Sequence, residues 1–133
     1  MAASAPSHLF VYGTLRRGAP MHALLERDVA WVAEARIRGR LYDLGAFPGL
    51  TDGSRDEFVQ GELYRITRDP ERLLDALDRY EGRAFKRVVR EVQPQPGAPV
   101  RAWVFLFEGS VRGKQRIESG DYLNREETAA RRA

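Results

Sequence analysis

The chain has 133 residues, of which 43% are hydrophobic and 31% charged, and this composition predicts a single domain around one hydrophobic core. It contains no cysteine, which excludes disulfides, thiolate nucleophiles and cysteine-ligated metal sites. The 22 basic and 19 acidic residues give a net charge of +3, and most basic residues stand within a few positions of an acidic one. Such mixing is typical of a solvated surface, so we expect no nucleic-acid partner.

The ends of the sequence carry no targeting signal that we can identify. Residues 1–7 lack the basic and apolar segments of a signal peptide, and no stretch approaches the ~18 apolar residues of a membrane span. We therefore expect a cytoplasmic protein with no membrane partner, present as a monomer or a weak homodimer. Residues 1–7 and about 124–133 are expected to be loose termini of one domain that spans residues 1–133.

The N-terminal segment predicts a strand, a turn and a short helix. Residues 8–12 form an apolar run that ends at Gly13, which is typical of a buried strand followed by a turn. Met21–Arg27 predicts a short helix with Leu24 and Leu25 facing the core.

Strand character dominates the next segments. It extends from Val29 to Leu44 and returns from Phe58 to Ile66, where β-branched and aromatic residues are frequent. Between them, residues 45–53 contain three glycines and a proline and predict an irregular loop.

The strongest helix signal covers Pro70–Tyr80, where apolar residues recur at helical spacing. Asp69 precedes it as an N-cap and Gly82 follows it as a C-terminal stop.

Two more strands are predicted at 85–92 and 100–107, separated by a proline-rich loop. In the polar C-terminal part, residues 117–123 are the segment expected to dock on the domain. Strands outnumber helices without a regular βαβ alternation, so the sequence predicts an α+β domain with a mixed, barrel-like sheet.

Known catalytic motifs of several enzyme classes are missing. There is no nucleophile-elbow serine motif, no glycine-rich phosphate-binding motif and no zincin motif. We therefore expect no cofactor and no metal, and any reaction has to depend on carboxylates, hydroxyls and backbone groups.

The first candidate site is the turn after the first strand, formed by Tyr12, Gly13, Thr14, Leu15 and Arg16. Backbone N–H groups at such a turn can bind a carboxylate or a developing oxyanion. The alternative is an ordinary β-turn with a packing tyrosine.

The second candidate is Glu81 at the end of the predicted helix. The negative end of the helix dipole and the apolar neighbours both disfavour the carboxylate, so they raise the pKa toward the range useful for proton transfer. The alternative is a surface glutamate paired with Arg83 or Arg87. Among the other candidates, Glu62 and Asp78 are interpreted as structural or surface carboxylates.

Five segments are informative when they are taken in order: HLFVYGTLRRG (8–18), RGRLYDLGAFPGL (38–50), VQGELYRI (59–66), LLDALDRYEG (73–82) with Phe85 and Arg87 after it, and IESGDY (117–122). Together they resemble the gamma-glutamylcyclotransferase-like superfamily, in particular its AIG2-like and gamma-glutamylamine cyclotransferase branch.

The resemblance implies a compact mixed β-barrel with flanking short helices, and a transferase or lyase that converts a small gamma-glutamyl compound to 5-oxoproline and a free amine. It implies Glu81 as the catalytic residue. The substrate-binding residues that it implies are Tyr12, Gly13, Thr14, Leu15 and Phe85. Phe85 stands where many members have tyrosine, which leaves the substrate's identity open. The alternative is a non-catalytic binding or regulatory module that uses the same pocket for a small metabolite.

Overall fold

A computed structural model describes residues 5–52 and 55–124 of the chain. The described part contains eight strands and one α-helix: β1 (His8–Val11), β2 (Val29–Arg38), β3 (Arg40–Asp43), β4 (Pro48–Thr51), β5 (Phe58–Ile66), α1 (Pro70–Glu81), β6 (Phe85–Pro94), β7 (Val100–Phe107) and β8 (Gln115–Arg116). Two short 3-10 turns cover His22–Leu24 and Tyr122–Asn124.

Five of the strands close into a barrel in the order β1-β5-β2-β6-β7. The barrel closes between β1 and β7, which are parallel with Leu9 opposite Trp103, whereas the other neighbours are antiparallel. The remaining strands form a three-stranded sheet in the order β4-β3-β8. The predicted α+β fold with a mixed barrel is therefore confirmed.

Successive side chains of a strand point to opposite faces of the sheet, so the apolar residues of the strands belong to two cores. One core fills the barrel and includes Phe10, Tyr12, Ile37, Leu63, Val92, Ala102, Val104 and Leu106. The other lies between the outer face of the barrel and α1 and includes Leu9, Val11, Leu15, Leu73, Leu77, Phe85 and Phe105. Strand β7 contributes to both cores, which explains why its sequence is apolar at nearly every position.

Helix α1 extends one residue beyond the prediction and ends at Glu81. Leu73 and Leu77 are buried against the barrel, so the packing of this face fixes where the helix ends. Gly82 stops the helix with a φ of 77°, a conformation that favours glycine. At 12 residues α1 is the longest helix in the described part of the chain, and no described helix has the length and hydropathy of a membrane span.

The predicted helix at Met21–Arg27 is wrong in extent, because only His22–Leu24 forms a 3-10 turn. Leu25 is completely buried as expected, but Leu24 is 40% exposed. A single turn can direct only one of two consecutive leucines into the core.

The predicted loop at 45–53 is also partly wrong, because residues 48–51 form β4. This strand pairs with β3, and Leu41 lies opposite Leu50. The continuous strand character from 29 to 44 is interrupted at Gly39, where a φ of 155° separates β2 from β3. The break allows β3 to leave the barrel and join the smaller sheet.

The C-terminal segment docks as predicted, with Ile117 and Tyr122 buried. Gly120 has a φ of 70°, and a Cβ there would lie 2.2 Å from the backbone oxygen of Phe58, so the close approach to β5 requires glycine. The expectation of loose termini falls largely on residues 1–4 and 125–133, which lie outside the described residues.

Candidate active site

The first side of the site begins at Tyr12, directly after β1. Its side chain is buried, and the hydroxyl donates to the backbone oxygen of Phe105 at 2.5 Å and accepts from the backbone N–H of Leu50 at 3.3 Å. Burial, with a smaller effect of the charge on Glu81, raises the pKa of this hydroxyl above its ordinary value. Tyr12 is therefore a neutral anchor that joins the barrel to the three-stranded sheet.

The backbone turns sharply after Tyr12. The Arg16 N–H donates to the Gly13 carbonyl at 3.0 Å, and the Met21 N–H donates to the Thr14 carbonyl at 2.9 Å. By contrast, the N–H groups of Gly13, Thr14 and Leu15 have no acceptor among the described residues. The turn therefore presents main-chain donors that are available to an anion.

Gly13 is required by a close contact rather than by an unusual φ. A Cβ at this position would lie 2.5 Å from Cγ of Pro48 and 2.8 Å from its Cδ. The proline ring at the start of β4 thus packs directly on the turn, and this contact brings β4 to the site.

A buried ionic network supports the turn from the side of the barrel wall. Arg16 donates from Nε to Glu62 at 3.2 Å and from Nη1 to Asp121 at 2.6 Å. Glu62 also accepts from the backbone N–H of Arg17 at 2.7 Å and from the Tyr64 hydroxyl at 2.9 Å. Arg16 is 4% and Glu62 is 3% exposed, so these charges are paired away from water.

Glu81 forms the second side of the site, as the last residue of α1. It has no hydrogen-bond or ion-pair partner in the part of the chain that the structure describes. Arg87, one of the two partners that the alternative interpretation offered, instead binds Asp78 on the preceding turn at 2.8 and 3.1 Å. Burial raises the pKa of the Glu81 carboxyl from 4.5 to about 7.

The turn and Glu81 lie in one cleft, which is open to solvent. A hydrogen bond of 2.6 Å between Thr14 Oγ1 and the Tyr80 hydroxyl ties the turn to the end of α1. The residues that line the cleft are Phe10, Val11, Tyr12, Gly13, Thr14, Leu15, Phe47, Pro48, Glu81 and Phe105. Five of the six residues predicted for the site are thus brought together.

Phe85, the sixth, does not line this cleft. It is buried in the core under α1, and its ring packs against Phe47 with centroids 5.7 Å apart. Its contact with the cleft is therefore indirect, through Phe47.

The sequence analysis did not name the other five residues that line the cleft, Phe10, Val11, Phe47, Pro48 and Phe105. Phe47 and Pro48 belong to the segment GAFPGL, whose resemblance to the family is a signal for the site. Arg16 and Asp121 are 105 positions apart, and no local pattern predicts that they pair.

Metal ligation has no preformed site in the described residues. No group of three or more His, Asp or Glu side chains within 5–52 and 55–124 is arranged to hold an ion.

A protein-family profile described as "Gamma-glutamyl cyclotransferase, AIG2-like" matches residues 9–124. The chain belongs to this family. It is 34% identical over 125 residues to the gamma-glutamylcyclotransferase family protein YtfP of Escherichia coli, covering 89% of this chain and 97% of that protein. It is 33% identical over 118 residues to a protein of Vibrio cholerae named as a putative gamma-glutamylcyclotransferase, covering 88% and 96%.

The fold agrees with this membership. The crystal structure of YkqA from Bacillus subtilis superposes with a TM-score of 0.75 at 25% identity, over 95% of this chain and 43% of that one. Membership of the AIG2-like gamma-glutamylcyclotransferase family supports a cyclotransferase-type enzyme.

Proposed function

We propose that this protein is a gamma-glutamylcyclotransferase that releases 5-oxoproline and a free amine from a small gamma-glutamyl compound. The observation that carries the proposal concerns Glu81. Its carboxyl is unpaired and desolvated, and it lies in the same cleft as the free N–H groups of Gly13, Thr14 and Leu15. Family membership supports the same reaction.

The reaction needs a group that both accepts and returns a proton. Glu81 takes a proton from the α-ammonium of the glutamyl group, and the resulting amine nitrogen attacks the γ-carbonyl carbon of the same group. When the tetrahedral intermediate collapses, Glu81 gives this proton to the nitrogen of the leaving amine as its bond to the γ-carbon breaks. The ring nitrogen then gives up its second proton to the regenerated carboxylate, which passes it to the released amine. The products are 5-oxoproline and the amine in its ammonium form, and Glu81 ends as the carboxylate with which it began.

The raised pKa suits Glu81 to both proton transfers. With a pKa of about 7, a substantial fraction of the carboxyl is ionised and a substantial fraction is protonated near neutral pH. Acid–base groups are most efficient when their pKa lies close to the working pH. A glutamate paired with arginine on the surface would stay ionised and would be a poor acid.

The turn supplies the electrostatic part of the reaction. In this proposal the N–H groups of Gly13, Thr14 and Leu15 bind an anion of the substrate, either the tetrahedral oxyanion or the α-carboxylate. Donors fixed in the backbone need little rearrangement as charge develops. The Pro48 contact and the bond between Thr14 and Tyr80 keep these donors in register with Glu81.

The orientation of the bound substrate explains why the reaction needs few catalytic groups. The nucleophile and the carbonyl belong to one molecule, and holding them in a near-attack geometry is worth several kcal/mol on the scale of effective molarities. The apolar wall of the cleft, from Phe10, Val11 and Phe105, limits access of water.

The test is release of 5-oxoproline from a panel of gamma-glutamyl amino acids and gamma-glutamyl amines, measured by chromatography. We expect turnover of at least one class, and no turnover of the same compounds carrying an N-acetyl group, because acetylation removes the nucleophile. Hydrolysis of the acetylated compounds would indicate a hydrolase. Binding without any product would indicate a non-catalytic module and would contradict the proposal.

A further inference from the structure

A second cavity adjoins the cleft at Glu81. It is lined by Phe47, Tyr80 and Glu81 and is open to solvent. Phe47 and Glu81 line both cavities, so they mark the boundary between them. We call the cavity with the 12–15 turn the inner cavity and the other one the outer cavity.

The geometry of the proposed reaction assigns the two cavities different parts of the substrate. Glu81 has to reach both the α-nitrogen and the nitrogen of the leaving amine, so the bond that breaks lies beside this carboxyl. The anion-binding donors are in the inner cavity, which places the glutamyl group there. The leaving amine then extends past Glu81 into the outer cavity.

The walls of the outer cavity are aromatic. Phe47 is 39% exposed, although the ring is held from behind by Phe85 at 5.7 Å between centroids. Tyr80 is held through its hydroxyl, which is bonded to Thr14 at 2.6 Å. Two fixed aromatic side chains with free ring surface form a subsite for an apolar group.

Charged side chains other than Glu81 do not line either cavity in the described part of the chain. The basic residues near the end of α1, which include Arg79, Arg83 and Lys86, line a separate groove that Glu81 does not border. Neither cavity therefore has a cationic side chain that could bind an acidic leaving group. For a polycationic amine the only acidic side chain lining the cavities, among the described residues, is Glu81, which the reaction uses.

We infer that Phe47 and Tyr80 form the leaving-amine subsite and select gamma-glutamyl compounds whose amine carries an aromatic or large apolar group. This inference rests on the proposed function. It narrows the proposed substrates from gamma-glutamyl compounds in general to those with an aromatic or large apolar amine.

Two readouts test it. With the Glu81→Gln protein, in which turnover is expected to be slow, calorimetry is expected to give a Kd for gamma-glutamyl-phenylalanine about tenfold lower than for gamma-glutamyl-alanine. With Glu81 intact, kcat/KM for 5-oxoproline release should show the same preference, mainly through KM. Phe47→Ala is expected to reduce the preference to about twofold or less, and Phe47→Leu to retain part of it.

Leu24→Ala is the matched control, because Leu24 is 40% exposed and lines neither cavity. It should leave the preference unchanged. Three results would overturn the inference. The first is an equal Kd for gamma-glutamyl-phenylalanine and gamma-glutamyl-alanine, and the second is tighter binding of gamma-glutamyl-lysine or gamma-glutamyl-glutamate than of gamma-glutamyl-phenylalanine. The third is an equal loss of kcat/KM for both dipeptides in Phe47→Ala. If the Kd preference is present but 5-oxoproline never forms, the subsite stands and the proposed function fails.

Discussion

Replacing Glu81 by glutamine is expected to lower the rate of 5-oxoproline release by about 10²- to 10⁴-fold, the range typical of losing a general acid–base group. Glutamine has nearly the same shape, but it can neither take the proton from the α-ammonium nor return it to the leaving amine. The loss should appear in kcat, because the cleft and its main-chain donors remain. Steady-state kinetics with a gamma-glutamyl substrate that the wild type turns over measures it.

Glu71→Gln provides the matched control, since Glu71 lies on the exposed first turn of the same helix. It should retain wild-type turnover. Equal turnover by Glu81→Gln would remove Glu81 from the mechanism.

A stability measurement distinguishes a chemical loss in Glu81→Gln from a folding defect. The folded-state pKa of Glu81 is raised from 4.5 to about 7, so the folded protein holds a proton that the unfolded chain releases between these values. Stability is therefore lost as pH rises from 4.5 to 7, and ionised Glu81 costs about 1–3 kcal/mol above that range after allowance for solvent at the mouth of the cleft. Glu81→Gln should be more stable than wild type at pH 8, and the difference should vanish below pH 4.5.

The second large effect is expected at Glu62. Glu62→Ala removes the acceptor of three hydrogen bonds and leaves the buried Arg16 with Asp121 alone, so we expect the free energy of unfolding to fall by about 3 kcal/mol. Because this network supports the 12–15 turn, we also expect Glu62→Ala to have a higher KM for the gamma-glutamyl substrate. Denaturant unfolding, analysed for the midpoint and slope, gives the stability.

Glu34→Ala is the control for Glu62→Ala. Glu34 lies directly opposite Glu62 on β2, but it is exposed, and its hydrogen bond from Gln60 is long at 3.4 Å. Its removal should change the unfolding free energy by less than about 1 kcal/mol. If both variants lose the same amount, Glu62 is not the support of the turn.

Local sequence patterns were sufficient to predict secondary structure where neighbours along the chain determine it. The apolar spacing of 70–80 and the stop at Gly82 place Glu81 at a helix end, and the run 58–66 coincides with β5. The family resemblance joined this helix end to the 12–15 turn, and the structure places both in one cleft.

Contacts between distant segments were not predictable in the same way. Strand β4 forms inside a glycine-rich loop because β3 provides hydrogen bonds that no local propensity encodes. The burial of Arg16 depends on carboxylates 46 and 105 positions away, which no local pattern indicates. Phe47 packs on Phe85, with ring centroids 5.7 Å apart, although no local pattern connects the two segments.

The most direct measurement is the titration of the Glu81 carboxyl in the unliganded protein, followed by ¹³C NMR and assigned by comparison with Glu81→Gln. A desolvated, unpaired carboxyl in the cleft predicts a midpoint near 7, well above the ordinary value of 4.5. A midpoint at or below 4.5 would show a solvated or ion-paired glutamate and would contradict its role as the proton carrier.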